Sequence, residues 1–110
     1  MQAGVEAIDV DPDIARYCVD LAAATRADKS VEVGASPRGS QSLLLVARAL
    51  AAIAGRDYVV TDDVKQVAVS VLAHRITLNP QAWSTGMQSV TVVESLLERV
   101  PGPAVVAAAR

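Results

Sequence analysis

Apolar residues recur along this chain at helical spacing in four blocks. In the first, Ile14, Tyr17, Cys18, Leu21 and Ala22 fall at i, i+3, i+4, i+7 and i+8, which is one face of an α-helix. Asp11-Pro12-Asp13 stands before it. Asp11 can accept a bond from a free backbone N–H, Pro12 suits the first helical position, and Asp13 complements the positive end of the helix dipole. The block predicts a helix ending near Thr25–Ala27, followed by a polar connection. In the second block Leu43, Val46, Ala47, Leu50 and Ala54 keep the period, and Leu44 and Ile53 widen the stripe. Ser36-Pro37 opens it and Gly55 lies where a helix C-terminal glycine belongs. So broad a stripe predicts a central helix buried on several sides. Val64, Val67, Ala68, Val71 and Leu72 form the third face, with Thr61 as the expected cap and Asp62 and Asp63 in the first turn. Asn79-Pro80 reads as the breaker after it. The fourth face is Val93, Leu96, Leu97 and Val100, with Thr91 and Glu94 spaced as a capping box and Pro101-Gly102-Pro103 as the stop.

These blocks predict an all-α fold, a compact four- to five-helix bundle over residues 11–100. A short two-stranded extended pair is expected between Val31–Val33 and Tyr58–Val60. Residues 1–10 read as the truncated end of a helix that begins upstream, and residues 101–110 as a loose C-terminal tail. No internal repeat is visible. The 110 residues are 52% hydrophobic but only 3% aromatic, with no Phe. The core must therefore be Ala, Val, Leu and Ile, which suits closely approached helices. With a net charge of −2 and no run of Lys or Arg, no nucleic-acid surface is expected. No membrane span is expected, and the N-terminus lacks the order of a secretion signal. Cys18 is the only cysteine, which excludes an internal disulfide and a thiolate cluster. The expected location is cytoplasmic.

One stretch carries candidate chemistry. Gly34-Ala35-Ser36-Pro37-Arg38-Gly39-Ser40 has the outline of a phosphate-binding loop, with two glycines five apart and a hydroxyl after them. A complete loop of that type needs a Lys for charge and a Ser/Thr for magnesium. Ser40 stands at the Lys position, and no later strand ends in paired acids for a metal ion. As a helix start, Ser36 and Pro37 obey the rules, but Arg38 does not, because a cation there faces the positive end of the dipole. An arginine beside free backbone N–H groups makes a concentrated positive site fit for an oxyanion. The local alternative is an Arg38 paired with Glu32 or Asp28, or simply solvated.

Several short pieces occur together in a fixed order: Ala24-Thr25-Arg26, Gly34-Ala35-Ser36-Pro37-Arg38, Ala47-Arg48-Ala49, Gly55-Arg56-Asp57-Tyr58-Val59, Asp62-Asp63-Val64 and His74-Arg75. In these the chain resembles the C-terminal lid domain of MoxR-family AAA+ ATPases, from about Val10 to about Val100. Gly39 stands where the family more often has Ala, and Asp62 where it often has Pro. The resemblance implies that Arg38 is the sensor-2 residue, reaching the γ-phosphate of ATP bound mainly by a neighbouring N-terminal AAA+ core. Gly34, Ala35, Ser36, Pro37 and Arg38 would form the lid's share of the nucleotide site. It further implies ATP and Mg2+ as cofactors of the full-length protein, a homo-oligomeric ring, typically a hexamer, and a chaperone-like role in assembly or metal insertion. Proteins with von Willebrand factor A domains are the implied partners. The isolated chain lacks the Walker segments and is not expected to hydrolyse ATP.

Other residues have plainer readings. His74 suits a helix C-terminal position, Trp83 packing or a domain edge, and Cys18 a small buried hydrophobe. Arg26, Arg48 and Arg56 suit structural pairing with Asp20, Asp57 or the backbone. Arg26 and Arg75 are second candidates for facing the core or a neighbouring subunit. A second function class stays open: a stand-alone helical interaction module in which Arg38 is incidental.

Overall fold

A computed structural model describes residues 8–106. Of the helix stub expected over residues 1–10, residues 1–7 lie outside the described residues, and Ile8–Val10 are not helical. Five α-helices occur among them: α1 (Pro12–Ala27), α2 (Pro37–Ile53), α3 (Thr61–Leu72), α4 (Pro80–Ser84) and α5 (Ser89–Arg99). A 3-10 turn, Ala73–Arg75, ends α3. Two short strands, β1 (Val31–Val33) and β2 (Thr77–Leu78), pair antiparallel, with Val31 opposite Leu78 and Val33 opposite Thr77. The helices form the bundle: α2 packs chiefly on α3 and α1, and α5 closes the far side against α3 and α1. Among the described residues no helix is long and apolar enough to cross a membrane.

The helical faces are those of the sequence pattern. Ile14, Tyr17, Cys18 and Leu21 of α1, Leu43 and Ala47 of α2, Val64, Ala68 and Leu72 of α3, and Val93 and Leu96 of α5 are buried together. The starts are built as chemistry requires at two helices. The Asp11 carboxylate accepts from the Asp13 N–H at 2.8 Å, and Asn79 Oδ1 accepts from the Ala82 N–H at 2.8 Å. Gly55, at φ +80°, takes the left-handed position after α2 that a side chain would strain.

Five expectations need correction. The partner of β1 is Thr77–Leu78; Tyr58 instead bridges in parallel to Asp9. Asn79-Pro80 opens α4 rather than only stopping α3: Asn79 caps it and also donates from Nδ2 to the Lys29 carbonyl at 2.6 Å. Thr61 does not cap α3, for its hydroxyl donates to the Pro103 carbonyl at 2.6 Å. The cap is supplied by Asp63, whose Oδ2 accepts from the Val60 N–H at 2.9 Å. Helix α5 starts at Ser89, so Thr91 and Glu94 lie inside it; left-handed Gly86 ends α4 and the chain turns at once into the next helix. Finally, α2 is not enclosed: Leu45, Val46 and Ile53 are exposed.

Of the expected tail 101–110, the last four residues lie outside the described residues, while Pro103 and Val105 are bonded back to the bundle. Besides the Thr61–Pro103 bond, the Thr61 N–H donates to the Val105 carbonyl at 2.9 Å. The same strip holds the incoming chain, because the Asp9 N–H donates to the Asp57 carbonyl at 2.8 Å and the Val59 N–H to the Asp9 carbonyl at 3.0 Å. Both ends of the described chain are thus fastened to residues 57–61.

Burial pushes the Cys18 thiol up from its ordinary 9.0 to about 11. The folded pKa lies above the unfolded one, so the stabilisation is fully present below pH 9 and is lost as pH rises towards 11. Two pH units correspond to roughly 3 kcal/mol. Chemical denaturation at pH 8 and pH 11 should show the loss, and Cys18→Ala should remove this part of the pH dependence.

Candidate functional site

The predicted site residues all lie where α1 ends and α2 begins. Gly34 rests directly on α1: a Cβ built there would lie 2.6 Å from Arg26 Cα and 2.7 Å from Arg26 N. Ala35 is fully buried and both its backbone groups are engaged. Its N–H donates to Thr25 Oγ1 at 2.8 Å, and its carbonyl accepts from Arg26 Nη1. The Thr25 hydroxyl in turn donates to the Ala22 carbonyl at 2.6 Å. Ser36 holds the N-cap position in extended conformation, but its hydroxyl makes no cap bond. Pro37 has no N–H and its fixed φ suits the first helical position. The Ser40 hydroxyl donates back to the Pro37 carbonyl at 2.7 Å.

Arg38 is exposed on the first turn of α2. Among the described residues it has no ion-pair or hydrogen-bond partner. The alternative of a pairing with Asp28 fails because that carboxylate is taken: Arg99 Nη2 donates to Asp28 Oδ2 at 2.7 Å and the Ser30 N–H to Oδ1 at 2.8 Å. Glu32 is exposed on β1 and makes no ion pair among the described residues.

Arg75 joins the same region from the far side of α3. Its Cδ would lie 3.4 Å from a Cβ on Gly39, and its Nη2 donates to Ser42 Oγ at 3.0 Å. Arg26, Arg38 and Arg75 therefore flank residues 34–42, and none of the three has an acidic partner among the described residues. Arg26 and Arg75 bond to neutral acceptors, a carbonyl and a hydroxyl, which leaves their charge uncompensated. The side of the helix N-terminus that most needs negative charge carries only cations. Beside it an open groove of about 490 Å³ runs between α2 and α3, lined by Leu45, Val46, Val71, His74 and Arg75.

The remaining candidates separate cleanly. Arg56 pairs with Asp63 rather than with Asp20 or Asp57. Arg48 Nε is buried without a hydrogen-bond partner among the described residues. Trp83 is 74% exposed on α4, and His74 is exposed in the 3-10 turn. Among the described residues no group of His, Cys, Asp or Glu is placed to hold a metal ion. Sequence reasoning missed the part played by Thr25. The signal was present, since Thr25 continues the buried Cys18–Leu21–Ala22 stripe, and a buried hydroxyl requires partners.

A small helical bundle of this build, with a two-stranded pair beside a cation-lined helix start, points to a class, the lid domain of an AAA+ ATPase. Residues 23–96 match the AAA lid domain family, and the chain belongs to that family, in its MoxR-type branch. It is 37% identical over 103 residues to the uncharacterised protein YeaC of Bacillus subtilis, covering 94% of this chain and 32% of YeaC. It is 40% identical over 75 residues to the chaperone MoxR1 of Mycobacterium tuberculosis, covering 68% of this chain and 20% of that protein. The crystal structure of a candidate ATPase from Cytophaga hutchinsonii superimposes with a TM-score of 0.86 at 31% identity, over 92% of this chain and 33% of that one. The chain spans about a third or less of the length of these relatives.

Proposed function

We propose that this domain is the sensor-2 lid of a MoxR-type AAA+ ATPase, with Arg38 as the residue that meets the γ-phosphate. The observation that carries the reading is an exposed Arg38 without an acid partner among the described residues, on a helix start where the Ser36 hydroxyl makes no cap bond and no acid stands in the first turn. Such a tip fits an oxyanion. The phosphate loop and the groups that hold Mg2+ would come from an N-terminal core. Closing the lid would set the guanidinium against the terminal phosphate and exclude water. Its fixed charge would then stabilise charge developing during phosphoryl transfer. Loss of the γ-phosphate would remove that anchor, and the lid would turn relative to the core. The whole protein is read as a cytoplasmic ring, typically a hexamer, acting as a chaperone in assembly or metal insertion, with von Willebrand factor A domain proteins as partners.

Arg38→Ala in the full-length protein tests the reading. ATP turnover should fall by a factor on the order of 100, with nucleotide-dependent assembly weakened. Turnover and assembly at wild-type levels would sink it. The exposed Leu45, Val46 and Ile53 favour a second reading, an interaction module without nucleotide chemistry. It predicts a parent sequence lacking any G-x-x-x-x-G-K-[ST] segment upstream.

A further inference from the structure

We propose that Thr25 and Arg26 are positioning residues for Arg38, acting through the backbone of Ala35. The inference rests on the sensor-2 reading above and deepens it. Two consecutive side chains in the last turn of α1 hold the two polar groups of one buried residue. Thr25 Oγ1 takes the Ala35 N–H at 2.8 Å, and Arg26 Nη1 takes the Ala35 carbonyl. The Thr25 hydroxyl is itself oriented, because its hydrogen is committed to the Ala22 carbonyl at 2.6 Å. Its oxygen is thereby left to accept from Ala35. The backbone of Gly34 lies against Arg26 N and Cα, so the strand cannot slide along the helix.

Little freedom remains between this clamp and the guanidinium stem. Ser36 is extended at φ −79° and ψ 172°, Pro37 has its φ locked by the ring, and Arg38 is already helical. Ala35 is therefore the pivot from which α2 departs. A small rotation there would displace a long arginine side chain by an ångström or more, and misplacement of that size costs about 100-fold when a fixed charge must meet a developing one. Among the described residues nothing else holds Ala35 by its polar groups, and at 0% exposure it has no water to replace lost partners.

The test is a double-mutant cycle in the full-length ATPase, read as ATP turnover. Thr25→Val keeps the shape and removes the acceptor; Thr25→Ser keeps the acceptor. Thr25→Val should lower turnover about tenfold, while Thr25→Ser stays within about twofold of wild type. In an Arg38→Ala background, Thr25→Val should change turnover less than about twofold, because there is no longer a guanidinium to misplace. Equal losses in both backgrounds would mean a general structural role, and the positioning claim would be wrong. No loss from Thr25→Val with a large loss from Arg38→Ala overturns the clamp and spares the sensor. No loss from Arg38→Ala overturns both. Circular dichroism of Thr25→Val monitors folding. Arg26→Gln, at an exposed side chain, repeats the cycle from the carbonyl side and decides the matter if Thr25→Val does not fold.

Discussion

Arg56→Leu is expected to destabilise the domain by about 3–5 kcal/mol, the usual cost of leaving a buried charge without its partner. Both guanidinium nitrogens reach Asp63, Nη1 to Oδ2 and Nη2 to Oδ1, each at 2.7 Å. The Asp63 side chain is only 2% exposed and that of Arg56 18%. Asp63 holds the guanidinium pKa above its ordinary value through this hydrogen bonding, partly opposed by burial. The leucine variant strands a carboxylate whose one other bond is the Val60 N–H. Asp63→Asn should cost less. It leaves the cation with a solvent path, the Tyr58 carbonyl at 3.3 Å and the Tyr58 ring, whose centroid is 6.0 Å away. Because small domains are stable by only about 5–15 kcal/mol, the first variant should be near its unfolding limit at room temperature. Urea titration of the two variants and wild type at pH 7 gives the comparison, with an unchanged slope confirming a common unfolded state. Two losses both under 1 kcal/mol would show that the pair is no more than a surface contact.

The position of this ion pair gives it reach beyond its own energy. It fastens the loop after α2 to the first turn of α3, next to the strip 57–61 that holds Asp9 on one side and Val105 on the other. The pair therefore steadies the strip to which both ends of the described chain are fastened. Arg38 lies apart from it, at the start of α2. The helices α2 and α3, packed along their length, connect the two.

What the sequence revealed and what it hid follow from the range of the interactions involved. Helical faces are local and periodic, so the stripes of α1 and α3 matched their buried residues. Asp11 was legible as a cap because it acts two residues away. Thr61 was misread because Thr is a good cap in isolation, whereas Pro103, 42 residues on, claims its hydroxyl. The pairing of β1 with β2 was missed for the same reason. A two-residue strand has no pattern of its own, and its pairing is set by how α3 and its 3-10 turn return the chain to β1. At the site, a cation in the first turn of a helix is a local anomaly, so Arg38 stood out in the sequence; it is exposed in the structure. The convergence of Arg75 on Gly39 and the hold of Thr25 on Ala35 are contacts across 33 to 36 and 10 residues, and no local rule announces them.

Gly34→Ala is expected to be the most damaging glycine-to-alanine change among the described residues. The new Cβ would lie 2.6 Å from both Arg26 Cα and Arg26 Cγ and 2.7 Å from Arg26 N. Two of those atoms are helix backbone, so rotamer adjustment cannot relieve the clash, and β1 must lift away from the end of α1. Overpacking of this kind costs typically 1–3 kcal/mol and occasionally more. Here the displacement would also break the Ala35 bonds to Thr25 and Arg26, orphaning buried groups at about 1–3 kcal/mol each. A total of about 4 kcal/mol is the expected loss. Gly39→Ala supplies the contrast, adding the same methyl group a few residues on. Its Cβ meets only side chains, Ala35 Cβ at 3.1 Å and the flexible Arg75 Cδ at 3.4 Å, and it gains roughly 0.5–1 kcal/mol of helix propensity. That variant should unfold within about 1 kcal/mol of wild type. Thermal melts of the two chains therefore compare close approach with helix propensity directly. If Gly34→Ala melts with Gly39→Ala, the strand is free to move off α1, and the rigidity assigned to the start of α2 is lost with it.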